Sequence, residues 1–239
     1  MAAEVFDNLS DVAFVGGKYV TGDVRAVILR FHGLGFTGAK TSLDMDELEW
    51  ASHGGLIVFP YYGPWSWMNA GARKFVDAIV ERVYDEFKLA DSVPLIITGG
   101  SMGGHAALNY AHYSQRKPAA VVSLYPCIDT EYHSTERPDL PRTFILAYGM
   151  DGRPIKEVFH ENSPTFHADT MPRVPYLVLH GDLDKAVSKS VHSDVFVKNM
   201  REAGHDVEYI EAWGMEHGPF IDLELYRRYV DFVSKAIAG

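Results

Sequence analysis

The hexapeptide Gly99-Gly100-Ser101-Met102-Gly103-Gly104 sets a serine between glycines in the pattern G-x-S-x-G. A serine so placed can act as a nucleophile when a strand ends and a helix begins at it. Small neighbours let strand and helix approach closely, and the helix start brings backbone N–H groups and a positive dipole end beside the hydroxyl. The apolar run Val93 to Thr98 precedes the hexapeptide, and an Ala-rich helical pattern over 102–114 follows it. Glycine-rich turns also cradle phosphates, but this one holds no lysine and no Walker pattern.

A serine hydroxyl is a poor nucleophile at neutral pH and needs a base, which in turn needs a carboxylate to fix its tautomer. Two later segments carry such groups. His180-Gly181-Asp182-Leu183-Asp184-Lys185-Ala186-Val187 follows the run Tyr176 to His180, so two competing aspartates lie at the C-terminal end of a strand, where catalytic groups collect in open α/β sheets. Trp213-Gly214-Met215-Glu216-His217-Gly218-Pro219-Phe220 lies between a strand pattern and the last helical pattern. A tetrahedral oxyanion needs two preorganised N–H donors. One is expected from Met102, next to the serine, and the other from Phe31-His32-Gly33-Leu34-Gly35-Phe36. His32 precedes the serine in the chain and is read as orienting that loop.

These groups need a scaffold that gathers them at one edge. Short, β-branched apolar runs at 24–31, 56–61, 93–98, 119–125, 176–180 and 207–212 suit strands buried on both faces of a parallel sheet. Helical patterns occupy 70–87, 102–114, 188–203 and 220–236. In the third, Val191, Val195 and Met200 are expected to face inward, and Gly204 to stop the helix. The alternation predicts an α/β fold, a mostly parallel central sheet with helices on both faces. Val12 to Val15 and Lys18 to Thr21 predict an antiparallel hairpin at one edge. The stretch 128–174, rich in proline and charge, is too long for a structureless loop and predicts short helices, read either as a small cap over the active site or as surface decoration.

The segments together resemble the α/β-hydrolase superfamily from about Val24 to the C-terminus. H-G-x-x-D-x-x-V is that superfamily's pattern around its acid, and the resemblance implies Asp184 as the acid, with Asp182 shaping the turn. It likewise implies His217 as the base, in a G-x-x-H-G loop, and the backbone of Leu34 as the second oxyanion donor. Within the superfamily the chain is most similar to the prolyl-oligopeptidase-like esterases and peptidases, through Asn162-Ser163-Pro164, Ala168-Asp169, Met171-Pro172 and Arg201 to Tyr209. Members that cut oligopeptides carry a large β-propeller, for which 239 residues leave no room. A carboxylic ester is therefore the favoured substrate, against a peptidase with the same triad or a non-catalytic binding protein on the same fold.

A hydrophobic fraction of 47% over 239 residues supports one domain, 1–239, with one well-buried core. A net charge of −10 disfavours nucleic acid as a partner. The single cysteine, Cys127, excludes an intramolecular disulfide. The start, Met1 to Asp7, does not read as a signal peptide and no run is long enough to span a bilayer, so a cytoplasmic protein is expected, with a small-molecule ester as partner and self-association left open. No metal and no cofactor are expected, because no zinc-ligand spacing and no dinucleotide fingerprint is present. Tyr61, Tyr62, Trp65 and Trp67, in the segment after the second strand run, are candidates for lining a substrate pocket or for anchoring the 128–174 stretch; Tyr125 and Met215 are candidates of the same kind.

Overall fold

Why the apolar runs are nearly continuous becomes plain in the computed structural model, which describes residues 6–239. Seven strands, β1 (Ala13–Val15), β2 (Ala26–Phe31), β3 (Gly55–Pro60), β4 (Leu95–Gly100), β5 (Ala120–Leu124), β6 (Tyr176–Gly181) and β7 (Val207–Ala212), form one sheet in the order β1-β3-β2-β4-β5-β6-β7. Only β1 is antiparallel to its neighbour. Successive side chains point to opposite faces, and both faces are covered. Val27, Leu29 and Phe31 face a core shared with α3 (Ala70–Glu86), α4 (Met102–Tyr113) and α8 (Ser193–Glu202). Ala26 and Ile28 face the opposite core, shared with α2 (Met45–Ser52) and α9 (Leu223–Ala238). The short α1 (Leu9–Val12) precedes β1. Met1 to Val5, the main part of the start read as lacking a signal peptide, lies outside the described residues. Among the described residues no helix is long and apolar enough to cross a membrane.

Two expectations are corrected, and one further helix is found. The edge hairpin is a single strand, β1, followed by a tight turn over Gly17–Tyr19. A side chain at Gly17 would meet the Phe87 ring at 2.7 Å, and Thr21 donates its N–H to Ala51, so the backbone here caps other elements instead of pairing with β1. Helix α2 lies where apolar spacing signals none. Its start is marked by Asp44 and Glu47, whose side chain accepts the Asp44 N–H at 2.8 Å. Helix α8 begins at Ser193, after a turn closed by Val191 and His192 N–H groups on the Ser188 carbonyl. This rotates the buried face to Phe196, Val197 and Met200 and leaves Val195 exposed.

The 128–174 stretch folds into α5 (Thr130–Glu136), α6 (Leu140–Tyr148) and α7 (Ile155–Glu161) with two short 3₁₀ turns. Trp67 anchors it. The indole stacks on Phe144 with ring centres 4.2 Å apart and donates Nε1–H to Thr143 Oγ1 at 2.9 Å, while Tyr148 donates its hydroxyl to the Trp67 carbonyl at 2.7 Å. Arg73 of α3 adds hydrogen bonds to Asn109 and Asn162. At the other side, Glu136 of α5 accepts the Ser188 N–H and hydrogen bonds from His133 and His192. Burial would raise the Glu136 carboxyl, but these hydrogen bonds outweigh it and hold it at about 2. A carboxyl lowered in the folded state stabilises the fold above its unfolded value, and that stabilisation disappears as pH falls toward the folded value. The melting-temperature gap between wild type and Glu136→Gln should therefore be widest near neutrality and shrink steadily below about pH 4.5. A gap that stays constant down to pH 2 would show that the Glu136 charge plays no part.

Candidate active site

Ser101 stands between β4 and α4 at φ 57° and ψ −124°, a conformation that costs a non-glycine residue of the order of 1–3 kcal/mol. The surroundings hold it there. Ser101 N–H donates to the Leu124 carbonyl of β5 at 2.9 Å, and α4 packs so tightly under the turn that no side chain fits at two flanking positions. A Cβ at Gly99 would sit 2.2 Å from the Gly103 carbonyl oxygen, and one at Gly103 would sit 2.3 Å from that of Phe31. The glycines of the motif are thus a packing requirement between β4, α4 and β2.

The other two segments arrive at the same edge. His217 Nε2 lies 2.9 Å from Ser101 Oγ, and His217 Nδ1 lies 2.7 Å from Asp184 Oδ2. The Nδ1–H therefore donates to the carboxylate, which leaves Nε2 free to accept the serine proton. Asp184 has no exposed side-chain surface. Its Oδ1 accepts the N–H groups of Ala186 and Val187, each at 2.9 Å. Burial would raise its carboxyl, but the hydrogen bonds from His180 and His217 and from the Val187 N–H prevail and hold it well below the usual carboxylate range. Asp182 instead accepts the Gly214 N–H at 2.6 Å and so pins the loop that carries His217.

At the end of β2, His32 is sandwiched by Phe36 and Tyr62, with ring centres 5.1 and 4.2 Å away, and its Nδ1–H donates to the Gly33 carbonyl at 3.0 Å. Burial lowers its pKa and favours the neutral ring. Tyr62 donates to the His32 carbonyl at 2.7 Å. Within this held loop the Leu34 N–H has no acceptor among the described residues. Met102 is the first residue of α4, so its N–H has no intrahelical partner. Neither N–H is taken up by another group among the described residues.

A cavity of about 490 Å³ opens beside Ser101. Of the substrate-binding candidates only Tyr125 lines it, its ring edge-on to His217 with centres 4.9 Å apart. Tyr62, Trp67 and Met215 are 4%, 1% and 0% exposed, and their assignment to the pocket is corrected: Tyr62 holds the β2 loop, Trp67 anchors the insertion, and Met215 packs under Gly181. Tyr61 receives the Lys40 N–H, and Trp65 is partly exposed; neither lines the cavity. The remaining wall combines residues of the two quoted motifs, Phe31 to Gly33, Phe36, Gly99 and Gly100, with others not singled out from the sequence, among them Arg30, Lys40, Phe59 and Tyr229. A charged residue inside an otherwise apolar strand run was the signal for Arg30. Its guanidinium pairs with Asp46 and Glu47, and Lys40 pairs with Asp44 and Glu47 at 3.0 and 2.8 Å, so neither cation is unpaired.

One trio, His133, Glu136 and His192, has potential metal-ligating atoms close together. Its hydrogen bonds argue against that use. His192 Nδ1 accepts the N–H groups of Ile128 and Asp129, so its Nε2 carries the proton it gives to Glu136 and offers no lone pair.

A serine, an imidazole and a buried carboxylate in hydrogen-bonded series on a mostly parallel sheet are the triad arrangement of the α/β-hydrolase fold. More narrowly, the chain belongs to the prolyl oligopeptidase family, whose sequence model matches residues 65–239. No curated protein matches the sequence. Among solved structures the chain is similar to a Mycobacterium tuberculosis puromycin-hydrolysing peptidase, with TM-score 0.74 and 21% identity over 91% of this chain and 34% of that one. A Pyrococcus horikoshii acylaminoacyl peptidase gives TM-score 0.73 and 18% identity over 90% and 37%. A truncated carbohydrate esterase from gut microbiota gives TM-score 0.69 and 16% identity over 92% and 88%. The chain thus spans about a third of the length of these peptidases and most of that of the esterase.

Proposed function

We propose that the protein hydrolyses carboxylic esters through an acyl-enzyme on Ser101. The observation that carries this reading is the series Ser101 Oγ, His217 Nε2, His217 Nδ1, Asp184 Oδ2, with steps of 2.9 and 2.7 Å. Ser101 attacks the carbonyl carbon as His217 takes its proton. Asp184 holds the imidazole in the accepting tautomer and stabilises the imidazolium. The N–H groups of Leu34 and Met102 receive the oxyanion. His217 then protonates the leaving alcohol, and a water deprotonated by His217 releases the acid.

The preference for an ester over an amide is supported by likeness along nearly the whole length of a carbohydrate esterase, whereas the peptidases are matched over about a third. The partly aromatic cavity beside Ser101 suits a small acyl or alcohol group. Turnover of a p-nitrophenyl ester and of a p-nitroanilide peptide, measured side by side, tests the preference. Ester turnover at least about 100-fold faster per enzyme is expected. Comparable anilide cleavage would replace this reading with that of a peptidase.

A further inference from the structure

We propose that His180 is a positioning residue of the same site, a second imidazole that donates to Asp184 and sets how much of that carboxylate's basicity reaches His217. The proposal rests on the reading of Ser101, His217 and Asp184 given above.

His180 lies in β6 just before Gly181 and has no exposed surface. Its Nε2 faces two acceptors, Asp184 Oδ2 at 3.1 Å and the Val187 carbonyl at 3.2 Å, so this nitrogen carries a proton. Its Nδ1 lies 2.6 Å from Ser193 Oγ, at the first residue of α8, and accepts that hydroxyl. The ring is therefore held at both ends, in one orientation and one tautomer.

Asp184 Oδ2 is in consequence shared by two imidazoles, His217 at 2.7 Å and His180 at 3.1 Å, while Oδ1 is filled by two backbone N–H groups. The carboxylate cannot rotate without losing donors on both oxygens. Each donor also draws charge from the carboxylate, so the His180 bond moderates the pull of Asp184 on the His217 proton. Other titratable groups near the pair are Tyr125 after β5, Cys127, and Asp182 and Lys185 in the turn after β6. Glu136 of α5, with His133 and His192, lies beyond the Ser188 N–H. None of them donates to Asp184 among the described residues.

A buried histidine that only fills space would make the same contacts, so the test must read the chemistry. The rate at which a fluorophosphonate labels Ser101 is followed against pH for wild type, His180→Leu, His180→Gln and Ser193→Ala. Losing the donor leaves more negative charge facing the His217 imidazolium, which then keeps its proton to higher pH. In His180→Leu the rising limb of the profile should move up by about half a pH unit or more. Its plateau rate should fall about 10–100-fold, as for outer hydrogen-bond partners of other functional side chains. His180→Gln, which retains an N–H donor, should fall between wild type and the leucine variant. Ser193→Ala, which weakens His180 as a donor, should move the limb in the same direction by less.

A folded leucine variant with the wild-type limb would overturn the proposal whatever its plateau. Should that variant not fold, an unmoved limb in Ser193→Ala would overturn it equally. Wild type left unlabelled at Ser101 would remove the serine-hydrolase site itself, and this inference with it; labelled wild type with unmoved limbs removes this inference alone.

Discussion

Ser101→Ala should lower kcat for a p-nitrophenyl ester by about 10⁶-fold while leaving KM within a few-fold of wild type. The size of the effect follows from the arrangement. Without Oγ there is no covalent intermediate, and His217 Nε2, 2.9 Å from that oxygen, has no proton to take from it. The Leu34 and Met102 N–H groups and the cavity wall are untouched, so ground-state binding persists and a residual rate above that in water remains. The turn itself should tolerate the change, because the Ser101 N–H to Leu124 bond and the close approach of Gly99 to Gly103 involve backbone only. Steady-state kinetics with fluorophosphonate labelling decide the matter. A variant within tenfold of wild type would remove Ser101 from the reaction.

The second large effect belongs to Asp184→Asn, which should cost about 10⁴-fold in kcat. The N–H groups of Ala186 and Val187 both point at Oδ1 and demand an acceptor there. An asparagine must then turn its carbonyl to them and its amide nitrogen to the Oδ2 position. That nitrogen would face the Nε2–H of His180 and the Nδ1–H of His217, donor against donor. His217 escapes by moving its proton to Nε2, where it can no longer accept from Ser101. Asp182→Asn keeps an acceptor for the Gly214 N–H and should cost less than about tenfold, through the His217 loop alone. The pair of variants thus discriminates between two aspartates two positions apart, and equal losses would show that the acid has been misassigned.

The fluorophosphonate profile also bears on the insertion. Glu136 reaches the loop after Asp184 through the Ser188 N–H, whereas no residue of 128–174 lines the cavity beside Ser101. The insertion packs on Trp67, α3, α4 and α8 and touches the acid loop through Glu136.

What could be read without a fold was whatever short-range pattern dictates. Continuous β-branched runs separated by helical spacing define a two-sided parallel sheet, since strands buried on both faces need apolar residues at every position. The glycines around Ser101 mark a strand-to-helix turn for a local steric reason, whereas the choice of Asp184 and His217 came from the resemblance of the H-G-x-x-D-x-x-V and G-x-x-H-G segments to the α/β-hydrolase superfamily. Elements of weak or short signal escaped: the phase of α8 hung on a turn closed by the Ser188 carbonyl, and α2 on one side-chain cap. The aromatic residues after β3 illustrate what sequence does not carry. Trp67 and Trp65 are two positions apart, yet one is buried against Phe144 and the other partly exposed, because the partner that covers Trp67 comes from about 75 residues further on. The cavity wall joins segments far apart in the chain, while the pairing of Arg30 and Lys40 with acidic residues around the start of α2 and the bond from His180 to Asp184 are nearer in sequence but depend on how the intervening turns fold. Side-chain identity nominates such groups, but only the packing of the layers sets which of them meet and which nitrogen of each imidazole holds its proton.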